Sequence, residues 1–461
     1  MFELKVQKIW KVRKREKKRE GEPMNKQIGK AKKRIAAAAL AMALCLSMVA
    51  GAAVSEPAYA FSGYSPFIGN SYSHNARFTN DVVVNGVDVS WWQHNNSDWI
   101  SAKAAGVDFS IMRASYTGIG SKFKLAEDTR FASHYAKAKS AGIMTGVYHF
   151  SQAKTVKEAK KEANYVIARL KALGIGPEDL DLPVYMDYEF NSRLTSRNLS
   201  RKTGTAAAKA FCKKIRDAGY QPGIYASLTF FNRFIDMSQI PSDVDIWCAQ
   251  YYSSCSYGGS YSKWQYTSSG KINGLHSWVG VGKGSIDCNF WYLNPKSEIS
   301  PRVKVSGVDS SYKYTGSPIE PSVTVKKGST KLKKGVDYKI GYINNVRAGT
   351  GYVYIRGLGN YKGYKMVPFK IKGATASSKK FKKGKYYTVQ TELNIRKGPG
   401  TQYSQVSRSK LSLSMRKKTF NVKKAVLMPG VKVKCKKVKG DWMKIPGGWI
   451  CCKYDNELYV Y

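Results

Sequence analysis

The chain has 461 residues, with 77 Lys and Arg against 31 Asp and Glu, a formal net charge of +46. That length reads as roughly two to four domains, and 43% hydrophobic residues with 31 Tyr and 10 Trp exclude global disorder. The charge excludes a neutral housekeeping surface and calls for a polyanionic partner or milieu: nucleic acid, membrane or an anionic wall polymer. It is spread unevenly. Residues 1–60 hold 14 basic and 5 acidic residues, 61–300 hold 27 and 19, and 301–461 hold 36 and 7. The middle is an ordinary globular segment, and the last third carries the electrostatics.

A Lys- and Arg-rich stretch over 5–34 precedes an uncharged run from Ile35 to Val54 and then Ala58-Tyr59-Ala60. A basic region, an apolar run and a small-x-small site make a secretory signal over 1–60, with Met24 as an alternative start. Left uncleaved, about 20 apolar residues would serve as an anchor. The expectation is cleavage, export and cell-wall association without stable membrane insertion, followed by a linker over 61–81. Beyond residue 60 there are seven cysteines. An odd number leaves at least one free or intermolecular thiol. Cys248 and Cys255 could close a short loop, and Cys435 could pair with either Cys451 or Cys452. No Cys/His cluster has metal-ligand spacing, so no metal and no cofactor is expected.

Between 82 and 298, β-rich runs recur with helical patterns between several of them. The runs are Val82–Ser90, Val107–Ser115, Ile143–Ser151, Leu182–Glu189, Gln221–Ser227, Asp245–Tyr251, Lys263–Thr267 and Ser285–Trp291. The spacing predicts one helix after the capping box Thr155-x-x-Glu158, ending at Gly174, and another from about Thr205 to Ala218, ending at Gly219. Alternating strand and helix implies an α/β fold with a parallel sheet, and eight strands in this span imply an irregular (β/α)8-type barrel. The later connections are too short for full helices.

Chemistry in such barrels sits at the carboxyl ends of the strands. Asp88, Asp187, Glu189 and Asp287 are read at such ends, with Arg113, Tyr148, His149, Tyr225, Gln250, Tyr251 and Trp264 as polar or aromatic companions. Asp187 and Glu189 are two apart on one strand, so they face the same way, about 6–7 Å apart at the backbone. Crowded carboxyls raise one another's pKa, leaving one protonated and one ionised near neutrality. Acid/base cleavage of a glycosidic bond needs that pairing, and the aromatics suit sugar rings. His149 reads equally as a hydrogen-bonded core residue, and Tyr148, Tyr225, Tyr251 and Trp264 as core packing. Asp98, Asp108, Asp128, Asp179 and Asp181 read as loop or cap acids.

These residues fall in segments that resemble the family 25 glycoside hydrolases, lysozymes of bacteria and phages. The segments are Gly86-Val-Asp-Val-Ser-x-x-Gln93, Arg113-Ala-Ser, Gly146-x-Tyr-His-Phe150, Asp187-x-Glu189, Gly223-Ile-Tyr225, Ala249-Gln-Tyr251, Trp264-Gln-Tyr-Thr267 and Asp287-x-Asn-x-Trp291. The resemblance covers under half of the chain. It implies an N-acetylmuramidase that cuts the β-1,4 bond between N-acetylmuramic acid and N-acetylglucosamine in peptidoglycan glycan strands. It also implies Glu189 as proton donor, Asp187 as partner carboxylate, and Asp88 and Asp287 as supporting acids. Whether Asp187 attacks directly or orients the substrate's 2-acetamido group stays open. The alternatives are a non-catalytic wall-binding surface protein and an N-acetylglucosaminidase.

Residues 299–372 are short, alternating and Tyr/Val-rich with Gly turns, and resemble an Ig-like β spacer. Residues 373–384 read as a basic linker. Residues 385–461 carry Leu393-Asn-Ile-Arg-Lys-Gly-Pro-Gly400 and resemble a bacterial Src-homology-3-like wall-binding module, with a longer and more basic stretch over 407–437 than such modules have. The expected partners are peptidoglycan and, through the basic region, anionic wall polymers, which exploit the same counterion release as nucleic acid. No nucleic-acid partner is expected.

Overall fold

The computed structural model describes residues 59–461, apart from 119–121, 192, 278–284, 374–379, 391, 420–422, 429 and 455–456. The expected export signal lies outside the described residues but for its last two positions, and half of the expected linker at 373–384 lies outside them too. Among the described residues no helix is long and apolar enough to cross a membrane.

Chain order opens on a hairpin, β1 (Tyr59–Tyr64) and β2 (Ser71–Asn75), where a linker was expected. Phe67, Tyr72 and Phe78 are buried in this region. Ser65 Oγ lies 2.7 Å from the Tyr266 hydroxyl, and His74 Nδ1 lies 2.9 Å from the Tyr292 hydroxyl. The segment folds because its aromatics have an apolar barrel wall to cover, a gain of about 1.5–3 kcal/mol for each large side chain fully buried.

The barrel follows: β3 (Val82–Val89), α1 (Trp99–Ala104), β4 (Phe109–Thr117), β5 (Leu125–Glu127), α2 (Phe131–Ser140), β6 (Met144–Ser151), α3 (Val156–Ala172), β7 (Val184–Tyr188), α4 (Arg201–Asp217), β8 (Pro222–Ser227), α5 (Leu228–Phe234), β9 (Asp245–Ala249), β10 (Lys263–Gly270) and β11 (Ile286–Leu293). Each expected run overlaps a strand, with β4, β10 and β11 running two or three residues further than expected, and β5 is an addition that hairpins onto β4. The order β3-β4-β6-β7-β8-β9-β10-β11 closes because β11 pairs back onto β3. The strands from β3 to β10 run parallel, but β11 runs antiparallel to both of its neighbours. An antiparallel partner needs no crossover helix, which accounts for the last connection of the barrel, from β10 to β11.

The helices show their stops and starts in the sequence. Thr155 Oγ1 accepts from Glu158 N at 3.2 Å to start α3, while the Glu158 carboxylate turns back to Lys154 N at 2.7 Å. Gly174 (φ 67°) and Gly219 (φ 88°) supply the left-handed residue just past α3 and α4. α4 begins earlier than the apolar spacing predicts, because Ser200 caps it by accepting from Thr203 N at 3.1 Å.

The next segment forms two sheets. One is β12 (Lys304–Ser306), β14 (Thr324–Lys327) and β15 (Thr330–Lys331). The other is β13 (Ser311–Lys313), β18 (Tyr364–Lys372), β17 (Gly349–Gly357) and β16 (Tyr338–Ile343). They share a core that includes Val325, Val353, Ile355, Phe369 and Ile371. The second sheet's other face sends Ile343, Tyr354 and Met366 into one apolar cluster with Val84, Phe109, Met144, Tyr185, Trp247 and Trp291 of the barrel. Polar ties reinforce the seam. Lys339 pairs with Asp181 at 2.9 Å, Asp108 accepts from Asn344 N at 2.9 Å, and Arg356 donates to the Leu180 and Asp181 carbonyls at 3.1 and 3.0 Å. Phe109 and Met144 open their strands, so this sheet closes the amino end of the barrel. The segment expected as a spacer is the barrel's floor, and Asp108 and Asp181, read as loop acids, serve that seam.

Residues 385–461 enclose a separate core of Val389, Leu393, Ile395, Leu427, Val433, Met443, Ile445 and Ile450. It is built from short antiparallel pairs and a one-turn helix, α6 (Leu413–Arg416). The cysteines at 212, 248, 255, 288, 435, 451 and 452 are all free thiols. Cys248 and Cys255 are buried as free thiols and do not form the disulfide considered from the sequence. Neither Cys451 nor Cys452 pairs with Cys435; their thiols donate to the Lys453 and Asp441 carbonyls at 3.2 and 2.9 Å.

Candidate active site

Side chains alternate across a strand, so register decides which residues enter the barrel. Asp88 stands near the carboxyl end of β3. Asp187 on β7 is in register with Phe150 of β6 and Tyr225 of β8, and Glu189 follows the end of β7. Asp287 is near the amino end of β11, not at a carboxyl end as the sequence suggests. Because β11 is reversed, that end opens on the same mouth, and Asp287 sits directly opposite Asp88.

Asp88 is buried, and its Oδ2 accepts from Gln265 Nε2 and Asn289 Nδ2, both at 2.8 Å. Gln265 Oε1 in turn accepts from the Tyr225 hydroxyl at 2.7 Å and the Tyr251 hydroxyl at 2.9 Å. Asn289 Oδ1 accepts from Trp247 Nε1 at 2.8 Å. Arg113 Nε donates to Asp128 Oδ2 at 2.8 Å, and the same oxygen accepts from Trp91 N at 2.9 Å. Glu189 is held by its backbone: Gln152 Nε2 donates to the Glu189 carbonyl at 2.9 Å, while Gln152 Oε1 accepts from Leu194 N at 3.0 Å. Of these site side chains, Arg113 and Asp187 each keep a buried atom, Nη2 and Oδ1, without a hydrogen-bond partner among the described residues.

The acids titrate as a group. Burial lifts Glu189 to about 7, with repulsion from Asp88 adding to it. Burial lifts Asp88 to about 6 against the pull of the Asn289 and Gln265 amides. Asp187 is raised well above the usual carboxylate range by burial and then by Glu189 and Asp88, with Arg113 opposing. Burial, Asp88 and Glu189 raise Asp287 in the same way. Four carboxyls that push on one another face one space, and they share protons near neutrality. Such a site can give a proton to a leaving oxygen while a neighbour stays anionic.

Tyr148, Tyr225 and Tyr251 also face this cluster, each feeling the charge of its acids. Three expected companions do not. His149 is buried on the outer face, with Nδ1 2.8 Å from Ser115 Oγ and Nε2 3.8 Å from Glu162. Trp264 is fully buried against Tyr72, His74 and Phe290, and donates to the Gln250 carbonyl at 2.8 Å. Gln250 spends its amide on Ser256, at 2.8 and 2.9 Å, and so shapes the loop after β9. Alternation supplies the reason: Tyr148 and Gln265 point in, so their neighbours His149 and Trp264 point out.

Sequence reasoning left Gln265, Asn289, Asp128 and Gln152 off the site. Strand parity with Asp287 was a signal for Asn289, whereas Gln265 has the opposite parity to Trp264, and placing Trp264 in the mouth hid it. It also left off the aromatics of the mouth. Trp91 and Trp92 follow β3, are 40% and 37% exposed, and have ring centroids 4.0 Å apart. Phe190 follows Glu189 and is also exposed. Among the described residues no group of three His, Cys, Asp or Glu could hold a metal ion.

The sequence model for the glycosyl hydrolases family 25 matches residues 87–275. Lysozyme M1 of Streptomyces globisporus is 26% identical over 211 residues, which cover 43% of this chain and 67% of that one. The lysozyme of Lactococcus phage mv1 is 25% identical over 202 residues, 41% of this chain and 94% of its own. Among solved structures, a family 25 glycosyl hydrolase from Bacillus anthracis is 20% identical with a TM-score of 0.37, covering 52% of this chain and 94% of its own. The family match falls on β3 and β7, the strands that position Asp88, Asp187 and Glu189, and with the two lysozymes it makes residues 87–275 similar to the family 25 glycosyl hydrolases and the chain a glycoside hydrolase.

Proposed function

We propose that the chain is an exported lysozyme that cuts the β-1,4 bond from N-acetylmuramic acid to N-acetylglucosamine in peptidoglycan. The observation that carries this reading is the convergence of Asp88, Asp187, Glu189 and Asp287 on one barrel mouth. Glu189 takes the role of acid: burial holds its proton up to about 7, close to the pH at which it must be given away. Asp187 takes the role of partner. Its Oδ1 is buried and unpartnered among the described residues, and an acceptor in that state suits an incoming N–H such as that of a 2-acetamido group. In this route the acetamido oxygen bonds to the anomeric carbon as the glycosidic bond breaks, and the leaving oxygen takes the Glu189 proton. Water then opens the cyclic intermediate and returns a proton to Glu189, with net retention. Trp91, Trp92, Phe190 and Tyr251 supply exposed aromatic faces for sugar rings.

The export signal over 1–60 and the basic excess over 301–461 support secretion and retention at an anionic cell wall. An Ig-like character for 299–372 and a Src-homology-3-like, wall-binding character for 385–461 belong to the same reading. Digestion of purified peptidoglycan, with mass analysis of the reduced products, tests it. Muramic acid at the new reducing ends is expected. Reducing-end N-acetylglucosamine, or no release of sugar at all, overturns it.

A further inference from the structure

Two amides, from different strands, meet on one oxygen of Asp88. Gln265 of β10 and Asn289 of β11 both donate to Oδ2 at 2.8 Å, and all three side chains are buried. Neither amide is free to turn away. The carbonyl oxygen of Gln265 is held by the Tyr225 and Tyr251 hydroxyls, and that of Asn289 by the Trp247 indole N–H. The indole N–H can only donate, so it fixes the Asn289 amide with its NH2 group toward Asp88; the Gln265 NH2 is fixed by the Asp88 carboxylate, which can only accept, and this leaves Oε1 to the tyrosine hydroxyls.

We propose that Gln265 and Asn289 are positioning residues, a two-pronged amide clamp that makes Asp88 the anionic member of the cluster and leaves the working proton on Glu189. The inference rests on the reading of Glu189 as the acid and says what sets its protonation. An oxygen receiving two N–H groups favours the charged carboxylate, and a fixed negative charge at Asp88 opposes ionisation of Glu189. Other groups facing Glu189 across the mouth are Asp187 of β7, Asp287 of β11, and the Tyr225 and Tyr251 hydroxyls. Arg113 of β4 is the cation there, and it is already committed to Asp128. Among the described residues none of these places a paired, oriented donor on Asp187 or Asp287, and Asp187 Oδ1 has no partner at all.

The test is the carboxyl carbon of Glu189, followed by NMR across pH in the full chain labelled with 13C-glutamate, beside the pH–rate profile. Asn289→Leu and Gln265→Met each remove one prong. Each should raise the apparent pKa of Asp88 and let Glu189 release its proton on the order of one pH unit lower. The alkaline limb of the activity profile should move by the same amount. Asn289→Asp, which adds a charge instead, should move the Glu189 midpoint upward. A variant that merely loosens the fold lowers the rate without moving the midpoint, so an unmoved midpoint in folded Asn289→Leu and Gln265→Met overturns the proposal. If Glu189→Gln stays active, the catalytic reading fails on its own account, while the NMR midpoints still decide the clamp.

Discussion

Asp88 and Asp287 stand directly opposite each other on β3 and β11, strands that run in opposite directions. Like charges in register across a ladder cost stability, and here both are buried or half-buried. The pairing persists because the reversed strand brings a fourth acid to a mouth that the parallel strands already furnish with three. The molecule therefore gives up stability at the place where it holds its protons.

That cost has a pH dependence. Glu189 and Asp88 have folded pKa values raised to about 7 and about 6, above their ordinary values of 4.5 and 3.8. A raised carboxyl means that the folded state binds more protons than the unfolded chain between the two values, so stability falls as pH climbs through that window. Glu189→Gln should therefore stabilise the protein by on the order of 2–3 kcal/mol at pH 8 and by little at pH 4. Thermal melts of both proteins at the two pH values check this; equal gains at both count against the proton-holding role.

Activity should follow the same groups. Glu189 must be protonated, so rate falls as pH rises through about 7, and Asp88, the anion of the cluster, must be ionised, so rate falls as pH drops through about 6. A narrow bell peaking between those values is expected for kcat/KM on soluble glycan fragments.

The floor of the barrel is a prediction about truncation. Tyr354 packs edge-on against Trp291 at 5.6 Å between ring centroids, and Lys339 neutralises Asp181. A chain ending at residue 298 should expose the cluster around Val84, Phe109 and Met144 and leave Asp181 without Lys339 and Asp108 without Asn344 N. Tyr354→Ala in the full chain should cost about 3–5 kcal/mol, the usual loss for a buried aromatic. Denaturant unfolding measures it; a loss below about 1 kcal/mol would count against a stabilising seam between residues 299–372 and the barrel.

Wall attachment should be electrostatic. With 36 basic and 7 acidic residues over 301–461, pelleting with cell walls should weaken steadily as salt rises, through counterion release. Binding that is unchanged by salt would assign retention to a specific pocket instead.

The barrel was legible because each buried strand declares itself as a β-rich run and each long helix as a capped, periodic one. Asp187 and Glu189 were legible because two acids at a spacing of two share a face. His149 and Trp264 were misplaced because adjacent residues were taken together where a strand admits only one of each pair. Asp287 was placed at the wrong end of its strand, since direction is a property of the closed sheet and leaves no mark in a run such as Ile286–Leu293. The hairpin before β3 and the floor under the barrel were hidden for a related reason. Phe67, Tyr72 and Tyr354 are ordinary aromatics until a wall exists for them to cover.

The most direct test of the central claim is lysis of peptidoglycan by Glu189→Gln beside the wild-type chain, both shown to be folded by circular dichroism. The account predicts clearing by wild type and a loss on the order of a hundredfold or more in the variant, the scale at which a positioned acid contributes. Equal clearing by the two would remove Glu189 from the chemistry and with it the proposed mechanism.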